Sequence, residues 1–261
     1  MTPTIEDIDI NLNLSAEEVY ATLASFELPE NVGRFNRDNL LQYEEEVALS
    51  FGKRSLIARQ FAKQEGDDFE ISNFVRAIVL LSHLPEKSMI IGINQKAAEK
   101  LQLIEVHQRD EERVMHYTSD HGVHYFINIK NENTLLATFQ KYLDLPTDVP
   151  PLEFSMDLND LKAIKNAKGN ELDSVAEELL AKTNNLPPDM YKDVIYSLTQ
   201  PEIAISIALV EQAEGENDPK MIVCLKSNLT IMMDIRESEK IAMISTIDTV
   251  GLSDFIKNAG F

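Results

Sequence analysis

Four histidines lie within one stretch of the chain, and their side chains are the best candidates for chemistry. They are His107, His116, His121 and His124. Imidazole nitrogens on the strands of a hairpin can bind zinc, and a histidine can also exchange protons near neutral pH. The sequence around them offers no cysteine and no convincing carboxylate triad to complete such a site. We therefore predict no metal site and no cofactor.

The other reactive side chains form no catalytic motif. The single cysteine, Cys224, has Val223 and Leu225 as neighbours, which predicts a buried and inert thiol. The sequence contains no glycine-rich phosphate loop and no Gly-x-Ser-x-Gly nucleophile motif. These patterns predict a protein that is not an enzyme.

The composition restricts the classes of partner. The 261 residues carry a formal net charge of -20, which repels phosphate backbones and anionic lipids. We therefore predict a protein partner, no nucleic acid and no membrane insertion. The first residues show no apolar signal segment, and apolar stretches such as Ala77–Leu81 are too short to span a bilayer. Together with the lone cysteine, this predicts a cytoplasmic protein.

The chain contains a pattern that occurs twice, at a spacing of 142 residues. Ile10–Val19 and Leu152–Leu161 both alternate apolar and polar residues as a strand does. Each then reaches a helix N-cap, Ser15 or Asp157, and an acidic residue follows three positions later. This similarity predicts that the chain arose by duplication of one α+β unit.

Further matches hold a spacing of 116 residues instead. Pro85 corresponds to Pro201 and Ile78 to Val194. The change in spacing predicts a helical insertion near residues 29–59 of the first copy only. At this spacing, His116 and His124 correspond to Met232 and Lys240, so the second copy has no equivalent histidines.

These observations predict an α+β fold with an internally duplicated, pseudo-two-fold architecture. Antiparallel sheets with helices packed on them follow from the short turns between consecutive strands. The predicted copies are residues 1–146 and 147–261, joined by a proline-rich linker into one continuous pseudo-symmetric body. The predicted strands after the two prolines are Met89–Ile93, Leu101–His107, Arg113–Thr118, Val123–Ile129, Ile203–Glu211, Met221–Leu225, Leu229–Ile235 and Lys240–Ile247.

Methionines are frequent in the strands of the second copy. A methionine adapts its shape and can contact a partner helix, although ordinary core packing explains the same pattern. The candidate contacts with a partner are Met190, Tyr191, Leu225, Ile231 and Met233.

This architecture resembles the EspG family, the cytosolic substrate chaperones of type VII (ESX-type) secretion. The resemblance covers both repeat cores, at Ile10–Ile93 and Leu152–Leu209. It implies recognition of a helical-hairpin secretion substrate in the cytoplasm, without catalysis and without catalytic residues. By analogy, the sheet and helices of the second copy would bind the substrate.

Two other functions fit the sequence. An acidic immunity protein could neutralise a basic toxin domain, and its affinity would fall steeply with salt. An enzyme with a dispersed active site could use His116 or His124. A chaperone that binds through apolar groups would depend only weakly on salt.

Overall fold

A computed structural model describes residues 11–26, 45–97, 101–119, 121–129, 132–146, 149–167, 190–211 and 220–261, with positions 173, 174, 178, 181 and 187. The chain divides into two compact units. The first comprises Met1–Met89, Ile104–Lys130 and Glu211–Gly215, and the second comprises Ile90–Leu103, Asn131–Val210 and Glu216–Phe261. No described helix combines the length and the apolar character that crossing a membrane would require.

The described elements are helices and strands, and the strands include two runs of four in succession. In chain order they are β1 (Asn11–Ser15), α1 (Ala16–Ala24), α2 (Glu45–Ala58), β2 (Ala62–Glu65), β3 (Asp68–Ile71), α3 (Asn73–His83), β4 (Lys87–Gln95), β5 (Gln102–Arg109), β6 (Glu112–Thr118), β7 (Val123–Asn128), α4 (Glu132–Leu143), β8 (Glu153–Asp157), α5 (Leu158–Asn166), α6 (Tyr191–Thr199), β9 (Ile203–Glu211), β10 (Lys220–Lys226), β11 (Thr230–Arg236), β12 (Ile241–Thr246) and α7 (Thr249–Asn258).

The first unit is a sheet in the order β1-β7-β6-β5 with helices on one face. Strand β1 alternates as the sequence predicts, with Leu12 and Leu14 buried. These leucines pack with Val114 and Phe126 of the sheet and with apolar residues of α1, α2 and α3. The helices therefore cover the sheet face that carries the even-numbered residues of β1, β6 and β7.

Helix α1 begins at the predicted capping box. The Ser15 side chain accepts from the Glu18 backbone N–H at 3.3 Å, and Glu18 Oε2 accepts from the Ser15 N–H at 2.8 Å. Glu18 is buried and also accepts from Ser55 Oγ and Arg59 Nη1, both at 2.7 Å. Its carboxylate thus joins the start of α1 to the end of α2.

The two helices approach closely at Gly52 of α2. A Cβ atom at this position would lie 2.0 Å from the Glu17 carbonyl oxygen and 2.8 Å from the Ala21 Cβ. Only glycine permits this backbone separation.

The second unit is a sheet in the order β4-β9-β10-β11-β12-β8. Helices α5 and α6 pack on the face that carries Leu225, Ile231, Met233, Ala242 and Ile244. Helix α5 begins at Asp157, whose Oδ1 accepts from the Asn159 N–H at 2.7 Å. The alternation of buried residues predicted for β8 is present at Phe154 and Met156.

The predicted α+β class with an antiparallel sheet is confirmed, and the strand orders β1-β7-β6-β5 and β8-β12-β11-β10 correspond to each other. In each, the first strand pairs with the last strand of a consecutive antiparallel run, β1 with β7 and β8 with β12. The duplication itself and the single pseudo-symmetric body stay predictions. The predicted boundary between residues 146 and 147 lies inside the second unit, where α4 packs against α7 and Gln140 Nε2 donates to Thr249 Oγ1 at 3.4 Å.

The insertion predicted near residues 29–59 coincides in part with α2, which runs from Glu45 to Ala58. The remainder of that prediction, residues 29–44, lies outside the described residues.

Candidate functional site

A polar cluster lies on the helix-facing side of the first unit's sheet. Glu105 and His107 alternate on β5, so both side chains point to the same face. Glu105 is opposite His116 of β6, and His116 is opposite Phe126 of β7. His124 lies two residues before Phe126 and faces the same way. We call Glu105, His107, His116 and His124 the histidine cluster.

The contacts within the histidine cluster are short. Glu105 Oε2 lies 3.2 Å from His116 Nδ1 and 3.4 Å from His107 Nε2. The second nitrogen of His116, Nε2, lies 2.9 Å from His124 Nδ1, and their rings stack with centroids 5.2 Å apart. His107 Nδ1 is 3.0 Å from Ser88 Oγ. One carboxylate oxygen therefore faces two imidazole nitrogens.

Burial and mutual charge set the ionisation of this cluster. Burial alone would raise the pKa of Glu105, but the imidazoles of His107 and His116, within 3.4 Å of its carboxylate, hold it well below its usual range. Burial, assisted by the charge of His116, lowers the pKa of His124 to about 3. At neutral pH, Glu105 is consequently an anion and His124 a neutral imidazole.

A fifth histidine, His83, is buried at the end of α3. Its Nδ1 lies 2.8 Å from the Val79 carbonyl oxygen and 3.0 Å from Ser82 Oγ. Burial lowers the pKa of His83 to about 4, and the charges of His116 and His107 add to the effect. His83 therefore belongs to the electrostatic surroundings of the histidine cluster.

The structure brings together three of the four histidines that the sequence singled out. His121 is exposed in the turn before β7 and takes no part. Sequence reasoning missed Glu105, although its alternation with His107 on a strand was a usable signal. It also missed His83, which follows the buried Val79 by four residues on α3 and so lies on the same helix face.

The second unit exposes apolar side chains on its sheet. Leu101 and Leu103 are 57% and 43% exposed. A Cβ atom on Gly92 of β4 would lie 3.6 Å from Leu101 Cδ1, 3.7 Å from Leu103 Cδ2 and 2.7 Å from Ser206 Oγ of β9. The two leucines and Ser206 thus surround Gly92 on one face of the sheet.

These apolar side chains continue along β9 and β10. Ala208 and Val210 share the face of Ser206 because side chains alternate, and Met221 is opposite Ala208. Val210 and Met221 are also exposed. We call the set made by Leu101, Leu103, Ala208, Val210 and Met221 the apolar strip.

The five residues predicted to contact a partner lie elsewhere in the second unit. Leu225, Ile231 and Met233 are buried in the core beneath α5 and α6. Met190 and Tyr191 are half-buried and pack against that core. Since these side chains hold the unit together, the exposed apolar strip is the better candidate for a contact surface.

The lone cysteine is inert, as the sequence suggests. Cys224 is fully buried, and burial raises the pKa of its thiol to about 12. The thiol therefore stays protonated at neutral pH and is unsuited to nucleophilic attack.

Comparison with known proteins gives a match in structure alone. No protein-family model matches the chain, and no curated protein matches its sequence. The fold is similar to that of the Mycobacterium tuberculosis type VII secretion system chaperone EspG5, solved in complex with the PE25–PPE41 dimer. The TM-score is 0.66 with 8% sequence identity, and the similarity covers 95% of each chain. The architectural resemblance to this family is thereby confirmed at the level of the fold.

Proposed function

We propose that this protein is a non-catalytic chaperone or adaptor that binds the helical segment of a protein partner on the apolar strip. The observation that carries the proposal is the fold shared with a secretion chaperone over 95% of both chains. By analogy with that neighbour, the proposed partner is a secretion substrate and the proposed location is the cytoplasm.

The geometry of the apolar strip favours a helix as the bound element. The strip lies on the face of a sheet, where the strand N–H and C=O groups already pair with neighbouring strands. An added strand could not hydrogen-bond there, whereas a helix satisfies its own backbone and can place one apolar face on the strip. Exposed leucine, valine and methionine side chains suit such a contact.

The net charge of the chain is expected to orient the bound partner rather than to determine the affinity of binding. A net charge of -20 attracts a partner whose flanks are basic and repels acidic competitors. If apolar contacts dominate, binding should persist at high salt, because screening acts on exposed charges.

The test is affinity capture with the double variant Leu103→Glu/Met221→Glu at low and high salt. Both side chains are exposed, so the variant should fold normally while losing apolar contact. The matched control is Val250→Glu, which changes an exposed valine of α7 in the same unit. A photo-crosslinking residue at position 103, compared with one at 250, would identify which segment of the partner lies on the strip.

The proposal is supported if wild type and control retain a helical partner at high salt while the double variant loses it. Equal capture by the double variant would contradict the placement on the strip. Capture of a basic protein that high salt releases would instead favour the acidic immunity function.

A further inference from the structure

We propose that Glu105, His107 and His116 form a binding site for one Zn²⁺ ion in the first unit. The candidate ligand atoms are Glu105 Oε2, His107 Nε2 and His116 Nδ1. All three lie within 4.8 Å of one another. This inference does not depend on the proposed chaperone function.

The spacing of these atoms fits tetrahedral zinc. Bonds of zinc to imidazole nitrogen and carboxylate oxygen are about 2.0–2.2 Å, which puts neighbouring ligand atoms about 3.3–3.5 Å apart in a tetrahedron. Glu105 Oε2 is 3.2 Å from His116 Nδ1 and 3.4 Å from His107 Nε2. Two of the three edges are therefore within about 0.1 Å of the tetrahedral range before any side chain moves.

A cation between His107 and the carboxylate would satisfy both groups. The His107 side chain is 8% exposed, and among the described residues its buried Nε2 atom has no hydrogen-bond partner. If the Nδ1–H donates to Ser88 Oγ at 3.0 Å, the Nε2 lone pair is directed toward an ionised carboxylate. Two facing electron pairs repel unless a proton or a metal ion lies between them.

Each histidine ligand is held by a second contact. Ser88 Oγ contacts the other nitrogen of His107, and His124 Nδ1 contacts the other nitrogen of His116 at 2.9 Å. Once the metal occupies His116 Nδ1, the Nε2–H of the same ring points toward His124 Nδ1, which can accept it. Such outer contacts fix the tautomer of a metal-binding histidine and raise its basicity.

The donor set selects the class of metal. Two imidazoles and one carboxylate suit Zn²⁺ and its neighbours Co²⁺ and Ni²⁺, whereas Ca²⁺ and Mg²⁺ prefer sites made of oxygen alone. Three protein ligands leave the fourth tetrahedral position to water. No metal was predicted from the sequence because it shows neither a cysteine nor a convincing carboxylate triad near the histidines, and the structure adds one carboxylate, Glu105.

The test uses the 261-residue chain, stripped of metal by a chelator and titrated with ZnCl₂. We expect one equivalent to bind and the Tm to rise. Substituting Co²⁺ should give the absorption bands of a four-coordinate ion. Glu105→Gln should weaken zinc binding by about tenfold or more, since it replaces an anionic ligand with a neutral amide of the same shape. His121→Ala removes an exposed histidine outside the cluster and should leave the affinity unchanged.

A measurement on the wild type keeps the proposal falsifiable if Glu105→Gln does not fold. Nuclear magnetic resonance of the histidine rings in the folded wild type, recorded with and without zinc, follows each candidate ligand directly. The ring nitrogen signals of His107 and His116 should shift when zinc binds, while those of His121 stay unchanged. Zinc binding that leaves the His107 and His116 signals unchanged, or that is weakened equally by His121→Ala, would overturn the site. So would failure of the folded wild type to retain one equivalent.

Discussion

The two units differ most in the layer of side chains between sheet and helices. The strand pairings show which residues occupy equivalent positions, starting from the cap residues Ser15 and Asp157. Leu14 is opposite His124 in the first unit, and Met156 is opposite Ala242 in the second. On the next two strands, His116 is equivalent to Met233, and Glu105 is equivalent to Val223. A polar layer in one unit therefore replaces an apolar layer in the other.

The same comparison extends to the helices above. His83 of α3 and Thr199 of α6 are each the second residue before the proline that follows the helix. His83 Nδ1 lies 2.8 Å from the Val79 carbonyl, and Thr199 Oγ1 donates to the Ile195 carbonyl at 2.7 Å. One strand order can thus be stabilised either by apolar packing or by a charged network, and only the network offers groups for chemistry.

The largest effect is expected from moving a histidine into the apolar layer. Met233→His buries an imidazole between Val223 and Ile244, neither of which has a polar side chain. We expect a loss of about 3 kcal/mol in the free energy of unfolding, measured by urea denaturation. Met232→His, half-buried on the opposite face, is the control and should cost less. A loss below about 0.5 kcal/mol at position 233 would show that the apolar layer tolerates polar groups.

The reverse exchange tests the polar layer. His116→Met removes a donor that faces the buried Glu105 carboxylate and should cost about 2 kcal/mol. Adding Glu105→Val, which copies the second unit, should restore most of that stability. The measurement is a double-mutant cycle by denaturant unfolding. Strictly additive losses would mean that the two side chains are not coupled.

A comparable effect concerns acid stability. The pKa of His83 is about 4 in the folded chain against 6.5 in the unfolded reference, so the unfolded chain binds the extra proton first. The stability due to His83 is therefore present above pH 6.5 and is lost as the pH falls toward 4. The charged groups that interact electrostatically with His83 are His116, His107 and Glu105.

His83→Thr, which copies Thr199, should reduce the stability difference between pH 7 and pH 4.5 by roughly 2 kcal/mol. Thermal unfolding of both proteins at the two pH values measures this difference. The His121→Ala control should keep the wild-type pH dependence. An unchanged dependence in His83→Thr would assign the acid sensitivity to other groups.

The smallest effect on stability is expected at the apolar strip. Leu103→Glu places a charge on a side chain that is already exposed, so the free energy of unfolding should change by less than about 0.5 kcal/mol. Urea denaturation beside Val250→Glu checks this. A larger loss would show that Leu103 belongs to the core, as Leu225 does.

The fold was predictable where local patterns are strong. Alternation located β1 and β8, and the capping signals at Ser15 and Asp157 located the helices that follow. The predicted strand Val123–Ile129 is close to the observed Val123–Asn128. These features depend on neighbouring residues alone, so one sequence is enough to find them.

The site was less predictable because it depends on register. Glu105 is one of 44 acidic residues, and only the pairing of β5 with β6 places it opposite His116. The spacing of 116 residues matched His124 with Lys240, whereas the strand pairing matches it with Ala242. A shift of two residues leaves the alternation of apolar and polar residues along a strand unchanged, so the sequence pattern does not reveal it. Likewise, Leu225 and Met221 are both apolar strand residues, and only packing shows which is exposed.

The shared carboxylate of Glu18 has a consequence for cooperativity. It caps α1 through Ser15 and also accepts from Ser55 and Arg59 at the end of α2. Opening either helix removes partners from a buried charge that also anchors the other. The amide protons of α1 and α2 should therefore exchange with solvent deuterium together, as one locally unfolding segment rather than two.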